Sequence, residues 1–276
     1  VICDIIHIAF MKGRKMRSLE VFKRHLREKR AVKIISGINN FDLTSVANVC
    51  RAAQIGLASA VDVACSEEVI KTAKENTKLP VFVSSTQPFS LKKAVKWGAD
   101  ALEVGNFDAL YTEGINFGAD EIYDIALETM SLTEKDNIFT CVTIPGCISI
   151  EEQIKLAKKL ELLGVDLIQT EGIKPMRASK ESSARDLISV AQATIANTME
   201  IAKHVSTPIM TASGITPQTA PLAFAAGASA VGVGSAVNKL RTQIAMAQTV
   251  RELVGTIAYK DVIKKEAKSE FYTYSM

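Results

Sequence analysis

Thr207-Pro-Ile-Met-Thr-Ala-Ser-Gly-Ile-Thr216 and, after an alanine-rich segment, Gly227-Ala-Ser-Ala-Val-Gly-Val-Gly-Ser-Ala-Val-Asn238 decide how the rest of the chain is read. Each begins as a short apolar run, reaches a glycine next to a serine (Ser213-Gly214, Gly234-Ser235), and leads into a helical pattern. That makes two consecutive βα units. Glycine at a strand end lets main-chain N–H groups approach a ligand without a Cβ in the way, and a helix start adds unpaired N–H groups of positive character. The guest that suits such a pair is a phosphate. In a (β/α)8 barrel the last two βα loops are where phosphate usually binds.

Moving outward, the same pattern recurs eight times. Short apolar runs at Ala31–Ser36, Ala58–Ala64, Val81–Ser85, Ala99–Gly105, Ile138–Thr143, Val165–Glu171, Ile209–Ser213 and Ser229–Gly234 read as strands. Helical periodicity lies between them at Ser66–Asn76, Leu91–Trp97, Ala119–Leu132, Ile150–Leu163 and Ala191–Val205. Alternation of this kind implies a parallel sheet, and eight repeats imply closure. Four even strands also align without gaps: Ala58-Ser-Ala-Val-Asp-Val-Ala, Ala99-Asp-Ala-Leu-Glu-Val-Gly, Val165-Asp-Leu-Ile-Gln-Thr-Glu and Ala228-Ser-Ala-Val-Gly-Val-Gly, each soon after a helix-ending glycine (Gly56, Gly98, Gly164, Gly227). Strands 3 and 7 share another start, Leu79-Pro-Val-Phe and Thr207-Pro-Ile-Met. The expected fold is therefore an α/β (β/α)8 TIM barrel of the phosphate-binding type, a single domain over 16–257. Residues 1–15 are expected to form a leader, disordered or surface-lying, and 258–276 a charged tail.

Met16–Arg30 places Leu19, Phe22 and Leu26 on one helical face, which predicts an extra N-terminal helix closing the bottom of the barrel. A membrane-surface or anionic-partner helix is the competing reading, because nine Lys or Arg between Lys12 and Arg30 face only Glu20 and Glu28, a local excess of +7. The whole chain carries +3, so the rest is about −4 by subtraction. The basic character is local. It argues against a general nucleic-acid footprint, and the apolar start Val1–Phe10 is too short for a membrane span. A charged content of 23% against 47% hydrophobic is ordinary for a globular domain with a large core.

In a barrel strand alternate side chains face the helices and the axis. Val61, Leu102, Ile168 and Val231 share the parity that suits the helix layer, while Asp62, Glu103, Gln169 and Gly232 share the other. Ala64, Gly105, Glu171 and Gly234 lie one step nearer the C-terminal mouth. Polar groups of one ring would thus meet inside, and glycines on strand 8 leave room beside them. The parity of the odd strands stays open, and with it the direction of Lys33. If Lys33 points inward it joins Asp62, Glu103 and Glu171 in a cluster able to shift pKa values for proton transfer or imine chemistry. The competing reading is a buried ion-pair network that only fills the axis.

These residues give the candidate site: Lys33, Asp62, Glu103 and Glu171 as catalytic groups, with Ser213, Gly214, Gly234 and Ser235 holding phosphate. Asp42 is expected to cap a helix, and Asn106 and Asp108 divide between turn formation and ligand contact. The polar segment Glu171–Ser189 suggests a lid, with Lys174, Arg177 and Lys180 as anion contacts, or else a solvated loop. Neither His7, His25 nor His204 sits at a strand's C-terminal end, and Cys3, Cys50, Cys65, Cys141 and Cys147 show no metal-ligand spacing. No metal site is expected, and Cys65 and Cys147 read as inert turn cysteines.

Several separated motifs, Ser36-Gly-Ile-Asn-Asn-Phe-Asp42, Val104-Gly-Asn-Phe-Asp108, Gln169-Thr-Glu-Gly172, Ala212-Ser-Gly-Ile215 and Val231-Gly-Val-Gly-Ser-Ala-Val-Asn238, resemble the hypothetical chloroplast reading frame 23 family over roughly Lys33 to Val254. The resemblance implies a phosphate-binding barrel in a plastid stroma or a cyanobacterial cytoplasm, and it implies no particular reaction. More distantly, the last two strands resemble those of tryptophan synthase α subunits, thiazole synthases, sugar-phosphate epimerases and FMN-dependent barrels, a likeness of fold. Three functions follow as expectations. The first is an enzyme that binds a small phosphorylated metabolite and performs isomerase, lyase or synthase chemistry. The second is an oxidoreductase using the same cradle for FMN, and the third a non-catalytic metabolite sensor or assembly partner. Self-association into a homo-oligomer is left open.

Overall fold

A computed structural model of the 276-residue chain describes residues 18–111, 113–172 and 184–257. Eight parallel strands close into a barrel in sequence order, β1 (Ala31–Ile35), β2 (Ala60–Ala64), β3 (Val81–Ser85), β4 (Ala101–Val104), β5 (Phe139–Ile144), β6 (Leu167–Thr170), β7 (Ile209–Thr211) and β8 (Ala230–Val233), with β8 pairing back to β1. Eleven α-helices accompany them among the described residues: α1 (18–27), α2 (Leu43–Ile55), α3 (Glu67–Asn76), α4 (Pro88–Trp97), α5 (Asp108–Tyr111), α6 (Ala119–Thr133), α7 (Ile150–Leu163), α8 (Ala184–Ile201), α9 (Ala220–Ala225), α10 (Ser235–Asn238) and α11 (243–257). The expected leader at 1–15, the tail at 258–276 and the proposed lid contacts Lys174, Arg177 and Lys180 lie outside the described residues.

The parity read from the even strands holds. Val61, Leu102, Ile168 and Val231 pack outward into the core shared with the helices, and Ala60, Ala101, Leu167 and Ala230 face the axis. The odd strands resolve the same way: Phe82, Cys141 and Met210 share the interior with them, and Lys33 follows Ala31 inward. Strands buried on both faces explain why they read as nearly continuous apolar runs.

The N-terminal end of the barrel is a hydrocarbon plug. Phe22 and Leu26 of α1 pack under the strands, and the Phe22 ring meets Phe82 at 5.0 Å and Phe139 at 5.9 Å between centroids, both edge-on. Phe82 and Phe139 close the triangle at 5.8 Å. Edge-to-face rings add roughly 0.5–1.5 kcal/mol per pair to the burial of their area.

Helix ends follow the sequence with three instructive exceptions. Asp42 caps α2, its carboxylate accepting from Thr44 N at 2.9 Å and Ser45 N at 3.2 Å. Gly98 and Gly164 end α4 and α7 in the left-handed conformation. Gly56 does not: its φ is −77°, and Leu57 takes the positive φ of 67° instead. Glycine is required at 56 because a Cβ there would come 2.4 Å from Val250 of α11. The helix expected over Leu91–Trp97, α4, starts earlier, at Pro88, since proline suits the first turn of a helix. Likewise α8 begins at Ala184, inside the segment expected to be loop, because Ala-Arg-Asp-Leu is polar yet helix-compatible. No helix among the described residues is long and apolar enough to cross a membrane.

Candidate active site at the C-terminal end of the barrel

Above the aromatic plug the barrel axis turns polar. Lys33 on β1 points inward with no exposed surface, its Nζ ion-paired with Glu103 Oε2 on β4 and 5.1 Å from the centre of the Phe82 ring. Burial works against the Lys33 ammonium, but the carboxylates of Glu103 and Asp62 outweigh it and hold its pKa above the usual lysine value. The lysine therefore stays protonated, a poor state for forming an imine and a good one for neutralising a buried carboxylate.

Asp62 on β2 belongs to the same cluster. Its Oδ1 accepts from Ser84 Oγ on β3 at 2.6 Å, and its Oδ2 accepts from Asn106 Nδ2. Burial drives the Asp62 pKa up, Lys33 pulls it down and Glu103 pushes it up again, leaving it at about 7. A carboxyl group at that value can both give and take a proton near neutrality. Asn106 also donates to Ser84 Oγ at 2.8 Å and accepts from Gln169 Nε2 at 2.9 Å. Gln169, on β6, donates further to Glu103 Oε1 at 2.8 Å and Thr143 Oγ1 at 3.0 Å. One hydrogen-bonded network thus links β2, β3, β4, β5 and β6, with Lys33 from β1.

Three of the four expected catalytic residues are brought together, and one is set apart. No described hydrogen bond joins Glu171 to Lys33, Asp62 or Glu103. It sits one step nearer the mouth, where Tyr111 Oη donates to its Oε2 at 3.3 Å. Ser84, Asn106, Thr143 and Gln169 complete the network although the sequence reading did not select them as catalytic. Ser84 and Thr143 were legible in principle, each two residues past an inward-facing Phe82 or Cys141. Asn106 was expected at a turn or a ligand contact, and its place in the network depends on a left-handed φ of 66° just after Gly105, itself at φ 148°. Gly105 is obligatory there, since a Cβ would come 2.1 Å from Thr143 Oγ1.

The expected phosphate residues lie at the mouth on the β7–β8 side, all half-buried. Ser213 and Gly214 take consecutive left-handed conformations, φ 72° and 71°, which turns the chain sharply after β7. Gly234 follows β8, and its carbonyl is already used by the N–H groups of Val237 and Asn238 at 2.9 Å. The N–H groups of Gly214 and Ser235 have no acceptor among the described residues. Asn238 Nδ2 ties this end of β8 to β1 through the carbonyls of Ile35 and Ser36, at 3.0 and 3.2 Å.

Cys65 and Cys141 hold their protons more tightly than ordinary thiols. Burial pushes the Cys65 thiol up to about 11 while Sγ donates to the Ser90 carbonyl, and Cys141, buried beside Glu103, is raised well above an ordinary thiol. No group of three or more metal-ligating side chains occurs among the described residues.

Comparison with known proteins agrees with this architecture. The profile of the family described as "Protein of unknown function (DUF561)" matches residues 16–263. The protein named "Uncharacterized protein ycf23" of Cyanophora paradoxa is 37% identical over 241 residues, 86% of this chain and 97% of that one. Its namesake from Pyropia yezoensis is 34% identical over 239 residues, 87% and 86%. Among solved structures, a 3-hexulose-6-phosphate synthase superposes with a TM-score of 0.58 at 14% identity, covering 82% of this chain and 99% of that one. A (S)-3-O-geranylgeranylglyceryl phosphate synthase from Thermoplasma acidophilum, in complex with its substrate sn-glycerol-1-phosphate, gives 0.54 at 15% identity, covering 86% and 98%. At such identities the structural likeness is one of fold.

Proposed function

The chain belongs to the DUF561 family, and from that premise we propose that it is an enzyme of the phosphate-binding barrel type. It binds a small phosphorylated metabolite and moves a proton on it in an isomerase, lyase or synthase reaction. The observation that carries this reading is the buried network of Lys33, Glu103, Asp62, Asn106 and Gln169 across the axis, just below the loops after β7 and β8. Burying two carboxylates and an ammonium costs several kcal/mol per ion, and their mutual attraction only partly offsets it. An apolar filling would close the barrel more cheaply. At its other end this barrel is filled in that way.

In this reading the main-chain N–H groups at Ser213-Gly214 and Gly234-Ser235 hold the phosphate, with the ester's carbon skeleton directed toward the axis. Asp62 is the proton carrier. Lys33 pairs with Glu103 and sets the field in which Asp62 titrates, and Glu171 with Tyr111 lines the entrance. The solved neighbours named above act on phosphorylated compounds by their titles, which supports a phosphate ester here by likeness of fold. The algal relatives support a plastid stroma or cyanobacterial cytoplasm as the place of work.

The test is a thermal-shift screen of the purified chain against phosphorylated sugars, polyols and keto acids. At least one should raise the melting temperature, and its dephosphorylated counterpart should not. No shift with any phosphate ester, or equal shifts with and without the phosphate, contradicts the reading.

A further inference from the structure

We propose that Thr198 is a positioning residue for the anion loop after β7: its hydroxyl, in the middle of a buried chain of four threonines, pins the end of β7 and so holds Ser213 and Gly214 in the conformation that presents their main-chain N–H groups. The inference rests on the phosphate-ester reading above for what the loop receives, and adds what keeps the loop in place.

The hydroxyls run between α8 and the strands it covers. Thr194 and Thr198 of α8 both meet Thr170 of β6, at 2.9 and 2.8 Å between oxygens, and Thr198 also meets Thr211 of β7 at 2.7 Å. All four side chains are without exposed surface. A hydroxyl has one hydrogen to give. Thr170 and Thr198 each stand between two hydroxyls with no other partner among the described residues, so each gives to one neighbour and accepts from the other. The other outward positions of the same strands are hydrocarbon, Ile168 on β6 and Ile209 on β7, in one core with Ala191 and Ile201 of α8. Valine has nearly the shape of threonine and would fill the space with no polar group to satisfy. What the hydroxyls add is direction, because a satisfied buried network fixes one arrangement of the elements it joins.

The end of β7 is where such fixing is needed. β7 is the shortest strand, Ile209–Thr211, and it is in register with β8 only through Met210 with Ala230 and Thr211 with Val231, the shortest of the eight seams. The chain then turns through two left-handed residues, Ser213 at φ 72° and Gly214 at φ 71°. Glycine adopts that conformation freely. For serine it is unfavourable, and it persists only where the surroundings over-determine it. Two residues before Ser213, the Thr211 hydroxyl has Thr198 as its hydrogen-bond partner and no other among the described residues. Without the Thr198 hydroxyl, Thr211 is left buried and unpaired. The strand end relieves this by shifting, and the Ser213 turn relaxes with it.

Neighbouring contacts do not replace this one. Ala212 N donates to the Thr170 carbonyl at 3.0 Å, which ties β7 to β6 along the ladder and not to the helix. Thr194 is one link further from the loop, meeting Thr170 and not Thr211. Asn197, beside Thr198 on α8, donates to the Glu171 carbonyl at 3.4 Å. One stretch of α8 thus holds both the proposed phosphate loop and the residue at the entrance.

Calorimetric titration of wild type, Thr198→Val, Thr198→Ser and Thr194→Val with inorganic phosphate and glycerol 1-phosphate tests the proposal, with hydrogen exchange of the Ala212 amide as a readout that needs no ligand. Thr198→Val should bind both probes about tenfold more weakly than wild type and exchange the Ala212 amide about tenfold faster, the scale of one lost buried hydrogen bond. Thr198→Ser keeps the hydroxyl, and Thr194→Val breaks the same network without touching Thr211, so both should stay within about twofold of wild-type affinity. Unchanged affinity or unchanged exchange in Thr198→Val, an equal loss of affinity in Thr194→Val, or no rescue by serine overturns the positioning role and leaves the phosphate site standing. If wild type binds neither probe, the phosphate-ester reading falls and Ala212 exchange alone decides. Faster exchange in Thr198→Val than in Thr194→Val then supports the anchor, and equal exchange overturns it. Should Thr198→Val not fold, Thr211→Val removes the same contact from the strand side and takes its place with the same outcomes.

Discussion

The two ends of the barrel are built from the same strands and solve the same packing problem in opposite ways. At the N-terminal end the axis is filled by Phe22, Phe82, Phe139, Leu167 and Met210, an apolar plug. At the C-terminal end the next inward positions carry Lys33, Asp62, Glu103 and Gln169, all without exposed surface. One turn of the pleat separates Phe82 from Ser84 and Cys141 from Thr143. The plug shows that this barrel can be filled with apolar side chains, so the polar ring is not needed to make it close. The apolar end fills the axis without cost in desolvated charge, whereas the polar end holds its charges at a cost that their pairing only partly offsets.

The sharpest way to break the contrast is Lys33→Ala, which leaves Glu103 buried without its counter-ion. It should destabilise by about 3–5 kcal/mol in denaturant unfolding. The double variant Lys33→Met with Glu103→Gln, which turns the charged end toward the character of the other, should recover more than half of that loss. If the double variant is no more stable than Lys33→Ala, the cost lies in shape and not in charge. Phe22→Ala should cost about 3 kcal/mol by opening a cavity in the plug, yet leave the affinity for a phosphate ester within about twofold of wild type. An equal loss of binding would mean that the ends are not independent.

The pH dependence distinguishes the ends next. The folded pKa of Asp62, about 7, lies above its ordinary value of 3.8, so the folded chain holds this proton more tightly than the unfolded chain. Its contribution to stability is full below about pH 4 and is lost as pH rises through 7, with a slope of up to about 1.4 kcal/mol per pH unit. Asp62→Asn should flatten the melting temperature between pH 4 and 7 by removing that term. An unchanged slope would show that Asp62 does not titrate in this window. The smallest effect is expected from Asp42→Ala at the α2 cap, about 1 kcal/mol, with no change in the slope.

Much of this division was legible in the residues. The period-two alternation of Ala58–Ala64 and its three counterparts fixed which even-strand positions face inward, so Asp62 and Glu103 emerged together. Lys33 remained open because β1 has no counterpart among the even strands, and only the ladder with β8 and the pair with Glu103 settle it. Glu171 was placed on the inward face and one step nearer the mouth than Asp62 and Glu103, yet was grouped with them as a catalytic residue. What the strand pattern did not contain is its partner: Tyr111, from the segment after β4, donates to its Oε2. Asn106 was legible as a residue of the mouth, but not the left-handed loop conformation that turns it into the network. Leu57 in place of Gly56 as the left-handed residue reflects the approach of Val250, some 200 residues away in sequence, which no local pattern contains.

The central claim is that the loops after β7 and β8 receive an anion above the charged axis. Amide chemical shifts of the labelled chain, followed while a sugar phosphate is titrated in, test it most directly. The account predicts that Gly214, Gly234 and Ser235 shift together and saturate with a single dissociation constant, while Phe22, Leu26 and Phe139 at the opposite end stay still. Saturating binding with those three mouth amides unmoved, or shifts confined to the basic helix α1, would contradict it.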